Sequence, residues 1–223
     1  MAAVAGFGGA AILLPLLVAI FGVRDAIPIL TIAQLVGNGS RAILNRAEVD
    51  IRVVGWFALG GVPAAFVGGL LFASAPLESL TRVLGAFLLL TVAWRHARPT
   101  PTRRLPVTAF APLGAVFSFL SALIGSVGPL MAPFFLAYGL LKGAYIGTEA
   151  TATVVMHVTK LVAYGGAAVL TLSSVAVGLA LGPVMILGSF LGKRIVDRLP
   201  ERVFVAIIET VLVIAGLVFL IAG

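Results

Sequence analysis

The sequence contains no cysteine, which excludes disulfides, thiolate metal sites and cysteine nucleophiles together. Charge is scarce: 10% of the 223 residues are Asp, Glu, Lys or Arg, against roughly 25% in soluble domains. Acidic charge is scarcer still, with 8 Asp and Glu against 15 Lys and Arg. The apolar runs hold no paired carboxylates, no HExxH and no GxSxG, so an enzyme is not expected. A P-loop is missing too, and an ATP-driven pump would need a partner subunit to supply one. With no thiol and only 4 Met, a permease for soft or divalent cations is disfavoured, and neither a metal nor another cofactor is expected. Residues 1–22 lack a basic leader region, so no cleavable signal peptide is expected.

What the sequence has is apolar residue, 61% of the chain with a mean hydropathy of +1.19. A soluble fold cannot hide that much apolar surface. At about 20 apolar residues per crossing, there is room for roughly seven or eight membrane spans. The net charge of +7 sits mostly between the apolar segments, as a topology signal rather than a nucleic-acid footprint. The fold class expected is therefore an all-α polytopic membrane protein whose partner is the lipid bilayer.

Charges and turn residues divide the first half into apolar segments 1–21, 26–46, 53–74 and 78–95, and the second into 107–139, 143–169, 172–192 and 203–222. Residues 98–106 read as a basic cytoplasmic linker between a first transmembrane repeat, 1–97, and a second, 107–223. The segment 107–139 is too long for one span and is interrupted by Gly125, Ser126, Gly128 and Pro129, which predicts a broken helix. Gly6, Gly8 and Gly9, followed by Pro15, form the matching element of the first half.

An ordered series of matches supports duplication. Pro15, Arg24 and Ala26 fall on Pro133, Lys142 and Ala144 at an offset of 118, and Gln34, Asn38 and Arg41 fall on Thr153, His157 and Lys160 at 119. Basic residues lie at Arg46 and Arg52 in the first half but at Lys193, Arg194, Arg198 and Arg202 in the second, a pattern shifted by one span. The expected architecture is two inverted-topology repeats with broken helices at the start of each. Residues 107–124 have no counterpart in the first half, and a shortened chain or a misassigned start is the expected reason.

A helix that begins within the bilayer presents free amide N–H groups and a positive dipole end, which suits an anion. Gly6, Gly8 and Gly9 in one repeat, and Gly125, Ser126, Gly128 and Pro129 in the other, are candidates for such a site; close helix packing is the alternative. Gln34, Asn38 and Arg41 share one helical face, as do Thr153, His157 and Lys160. Polar side chains in a span usually face a bundle interior or an aqueous path. Snorkelling of Arg41 and Lys160, and an interhelical hydrogen bond for Asn38 and His157, are the structural alternatives. His157 titrates near neutrality when unperturbed, and with Glu149, two turns before it, it is a candidate for proton coupling. Glu149 could equally pair with Lys160. Asp25, Glu48, Asp50 and Glu78 read as solvated loop residues.

The glycine-rich element from Gly6 to Leu16 and its degenerate second copy from Gly125 to Pro133, separated by a basic linker, resemble the sulfite exporter TauE/SafE family of membrane permeases. The resemblance covers essentially the whole chain. It implies transport of a small sulfur-containing anion, sulfite or an organosulfonate, outward from the cytoplasm across the prokaryotic plasma (inner) membrane. The chain departs from the family pattern at Ala10, where a third consecutive glycine is common. The reading is thus a secondary transporter: Gln34, Asn38 and Ser126 donate hydrogen bonds, Arg41 and Lys160 supply positive potential, and His157 is proton-linked. A non-transporting scaffold or receptor subunit, and a permease for another small ion, are the alternatives.

Overall fold

The computed structural model describes residues 8–97, 105–196 and 201–222, which contain helices and no strand. The helices are α1 (Gly8–Leu44), α2 (Ile51–Ser74), α3 (Leu77–Ala97), α4 (Phe110–Ile124), α5 (Gly128–Tyr138), α6 (Lys142–Gly166), α7 (Leu172–Val196) and α8 (Glu201–Ala222). Lipid offers no hydrogen bonds to the backbone, so an apolar chain satisfies its amides internally, and the helix does this within one segment. Among the described residues, the stretches Leu13–Leu44, Ile51–Ser74 and Val107–Ile124 are long and apolar enough to cross a membrane. Large side chains such as Ile20, Leu44 and Ile221 remain mostly exposed, as lipid-facing positions do.

α1 packs along α6 and α7, α2 along α4 and α6, and α3 along α8. Within the two expected segments 1–21 and 26–46, Gly8–Leu44 forms two helical arms, together α1, that meet at Gly22, whose φ of 74° and ψ of 165° are outside the helical region. The kink reverses the chain. Leu14 and Leu30 lie eight residues on either side of Gly22, yet both would sit within 3.5 Å of a Cβ placed on Gly125. α4 and α5 also form a hairpin. The Phe110 ring at the start of α4 lies edge-on to Phe135 (4.9 Å) and Tyr138 (5.5 Å) near the end of α5, and Leu105 N–H donates to Ala137 O. At 1.5 Å per residue, the 15 residues of α4 rise only about 22 Å, short of a hydrocarbon core of about 30 Å. α4 and α5 thus run antiparallel, with Gly125 at the tip where the chain turns.

Two acidic residues read as solvated are instead partnered. Asp25 lies within α1 just after the kink and accepts from the Ser174 hydroxyl at 3.1 Å. Asp50 is the N-cap of α2, accepting from the backbone of Arg52 and Val53, and also accepts from the Tyr138 hydroxyl at 3.3 Å. The charges mark helix ends correctly, but those ends dock on neighbouring helices rather than on water.

Arg24 closes the far end of α2. Its guanidinium donates to Ala73 O and, at 2.7 Å, to Ala75 O, and lies over the Phe72 ring. These carbonyls are the ones a helix C-terminus leaves unpaired. Arg24→Met is expected to cost about 1.5–3 kcal/mol, the worth of a hydrogen bond to a charged group, read as a lower unfolding temperature in detergent. Unchanged melting would show that water or lipid headgroups replace the guanidinium without loss.

Candidate functional site

The polar residues of α1 and α6 meet where these helices pack. Helical spacing places Gln34, Asn38 and Arg41 on one face of α1 and Glu149, Thr153, His157 and Lys160 on one face of α6. Gln34, Asn38, Glu149 and Thr153 are buried, and His157 and Lys160 are fully so. Full burial rules out snorkelling for Lys160; Arg41 keeps 24% of its side chain exposed.

Arg41 ties the two helices. Its guanidinium donates to Asn38 Oδ1 and lies 3.5 Å from Glu149 Oε2, while Glu149 Oε1 accepts from the Thr153 hydroxyl at 3.2 Å. The cation beside Glu149 is thus Arg41 of α1, not Lys160, which lies about three turns further along α6. With Asn38 Oδ1 turned to Arg41, its Nδ2 faces His157 Nε2 at 3.4 Å. Nε2 must then accept, so a neutral His157 carries its proton on Nδ1. That Nδ1 is buried without a partner, and so is Gln34 Nε2, one turn from Asn38. An unpaired buried donor costs about 1–3 kcal/mol, so two of them in one seam call for an acceptor.

Among the described residues, no carboxylate is paired with Lys160. Its Nζ donates to Ser121 Oγ at 3.0 Å and to Gly125 O at 3.2 Å, the carbonyl at the tip of the α4–α5 hairpin. The C-terminal end of α4 carries the negative pole of its dipole and favours an ammonium there. Gly125 has a φ of 88°, which a side chain would strain, and this turn presents its carbonyl to Lys160. Tyr164, one turn further along α6, is fully buried and donates to Ala122 O at 2.5 Å, fastening the same tip.

Gly125, a candidate from the sequence, takes part through its carbonyl, and Ser121 joins it without having been singled out there. The signal for Ser121 is the pair Ser118 and Ser121, two small hydroxyls three residues apart in an apolar run, one turn before the glycine break. Of the glycine candidates, Gly8 and Gly9 lie in the first turn of α1, Gly6 lies outside the described residues, and Pro129 falls in the first turn of α5. Ser126 and Gly128 adjoin the hairpin tip, and a Cβ placed on Gly128 would touch nothing within 4 Å. Among the described residues, no three His, Asp or Glu side chains are grouped to hold a metal ion.

Chemically, the seam offers two cations, one carboxylate and two N–H donors without acceptors. It suits a small acceptor-rich anion. The family model described as "Sulfite exporter TauE/SafE" matches residues 1–219 of the chain. No curated protein and no solved structure matches it.

Proposed function

Because the chain belongs to the sulfite exporter TauE/SafE family, a family of membrane permeases, we propose that it is a secondary transporter exporting sulfite or organosulfonates across the prokaryotic plasma membrane. The anion is held between α1 and α6, beside the α4–α5 tip. Gln34, Asn38 and Ser126 donate to it, with Thr153 lining the same face, and Arg41 and Lys160 supply the positive potential. The glycines at 6, 8, 9, 125 and 128, with Pro129, let it approach the helix ends. His157, with Glu149, links its movement to protons.

The observation that carries this reading is the pair of buried donors without acceptors, Gln34 Nε2 and His157 Nδ1, in a seam that also holds a cation free of carboxylate contact. A scaffold has no reason to keep such groups unpaired. Exposure fits a site reached from the cytoplasmic side. Arg41 is the partly exposed end of the stripe and lies near the loop that Arg46 and Arg52 mark as cytoplasmic, while Lys160, at the other end, is sealed.

The inverted repeat is part of the proposal. Gly22 and Gly139, 117 positions apart, both take positive φ, and each precedes the long helical arm that carries a polar stripe. The contacts at the arms' beginnings also mirror each other: Asp25 meets Ser174 at the start of α7, and Thr148 accepts from Asp50 N–H at the start of α2.

Gln34→Leu tests the site. A structural glutamine would destabilise the fold when removed, whereas an unpaired one that serves a ligand should leave melting unchanged or raised. Flux of sulfite or methanesulfonate into proteoliposomes should fall about tenfold or more, since a hydrogen bond to a charged group is worth about 1.5–3 kcal/mol and about 1.4 kcal/mol is tenfold. Normal flux in the variant would refute the donor role. Silence of the wild type to every anion, by current and by isotope uptake, would favour the non-transporting reading.

A further inference from the structure

We infer that Glu149 sets the charge selectivity of this site: by cancelling one of its two cations it leaves a single net positive charge, so the site takes a monoanion, of the sulfonate or hydrogensulfite type, over a dianion such as sulfate. The inference rests on the anion-binding reading above and names the ligand charge that the same site accepts.

The charge count comes from the contacts. Lys160 is fully buried and donates to two acceptors, Ser121 Oγ and Gly125 O, the second at the negative end of the α4 dipole, which favours an ammonium; it counts as one positive charge. Arg41 is cationic under all ordinary conditions. Glu149 sits 3.5 Å from Arg41 and accepts from Thr153, which is the setting of a carboxylate. His157 accepts at Nε2 from the Asn38 amide and adds no charge. The other charged side chains of α1 and α6 lie at the helix ends: Arg24 meets the carbonyls closing α2, Asp25 meets Ser174, and Lys142, at the start of α6, is exposed. Asp50 is engaged by Tyr138 and the amides opening α2. Among Arg41, Glu149, His157 and Lys160 the balance is two positive charges against one negative.

An excess charge in a buried site is expensive, because the interior screens it poorly and the ion has given up its hydration. A monoanion brings the seam to neutrality. A dianion leaves one negative charge over, in contact range of the Glu149 carboxylate already there. The carboxylate is thus a built-in rejecting element, of the kind specificity often needs in addition to attraction. Arg41 is the group for which ligand and Glu149 compete.

The experiment uses the full chain in lipid nanodiscs at fixed pH and ionic strength, with methanesulfonate, singly charged throughout the accessible range, and sulfate, doubly charged. The wild type is expected to bind methanesulfonate about tenfold or more tightly than sulfate. Glu149→Gln, which raises the net charge to two, is expected to move that ratio towards sulfate by about tenfold or more. Sulfate binding as tight as methanesulfonate in the wild type would overturn the inference without any variant. So would an unmoved ratio in a folded Glu149→Gln protein that binds both anions. In either case the anion site itself stands. No binding of any anion to the wild type would instead overturn the reading on which the inference rests.

Discussion

Lys160→Met is expected to cut anion flux about a hundredfold or more while leaving the protein folded. The variant removes one of the two cations of the seam, and with it a charge-assisted hydrogen bond to the anion worth about 1.5–3 kcal/mol and that cation's share of the attracting potential. If that interaction energy is expressed in binding and passage of the anion, two or more factors of ten follow. Stability should respond differently. The native ammonium is fully buried and, among the described residues, has no carboxylate beside it, so its desolvation is only partly offset; methionine has similar length and no charge to bury. The expected signature is a melting temperature equal to or above that of the wild type with transport nearly abolished. Lys160→Arg restores the charge but offers a planar fork where a compact ammonium sits between two acceptors, so it should recover only part of the flux. Wild-type flux in Lys160→Met would remove Lys160 from the site, and a collapse of the fold would assign it a structural role at the hairpin tip.

How much of this arrangement can be read from sequence depends on which kind of geometry is asked for. Periodicity decides faces: Gln34, Asn38 and Arg41 must share a side of any helix that contains them, and so must Thr153, His157 and Lys160. It does not decide which neighbour a face meets, because that depends on how each helix rotates against the others. Hence Glu149, on the same helix as Lys160, pairs with Arg41 across the seam, and Lys160 turns to α4 instead. Turn chemistry marks where helices end, as at Gly125, and the two segments read on either side of residues 22–25 correspond to the two helical arms that meet at Gly22. Charge at a helix end reads as solvation in a one-dimensional sequence. Asp25 and Asp50 show the limit of that rule, since their neighbours arrive from more than 80 residues away. Ser121 was hardest to see, because a single hydroxyl in an apolar run gains meaning only when a cation is found beside it.

Gly60→Val and Gly114→Val are expected to separate α2 from α4 and, through that, to disable the site. A Cβ on Gly60 would be driven into the Ala111 carbonyl, 2.9 Å from its carbon and 3.2 Å from Ala115 N; one on Gly114 would meet the Phe57 backbone at 3.0 Å from its carbonyl carbon. These obstacles are backbone atoms of packed helices and cannot turn aside as a side-chain tip can. Overpacking of a tight interior costs about 1–3 kcal/mol, occasionally more, and the upper end applies here. In a chain of this size about 3 kcal/mol corresponds to roughly 6–12 °C in unfolding temperature. The loss should extend to function, because α4 carries both Ser121 and Gly125 to Lys160: a helix pushed off α2 takes the tip with it. Gly55 on the same helix is the control. A Cβ there meets nothing within 4 Å, so Gly55→Ala should keep flux unchanged and gain up to about 1 kcal/mol from helix propensity. Thermal unfolding and flux measured on the three variants decide the matter. If Gly60→Val melts and transports like the wild type, the α2–α4 approach is not what holds the hairpin tip in place, and its support must come from Tyr164 and the α1 side instead.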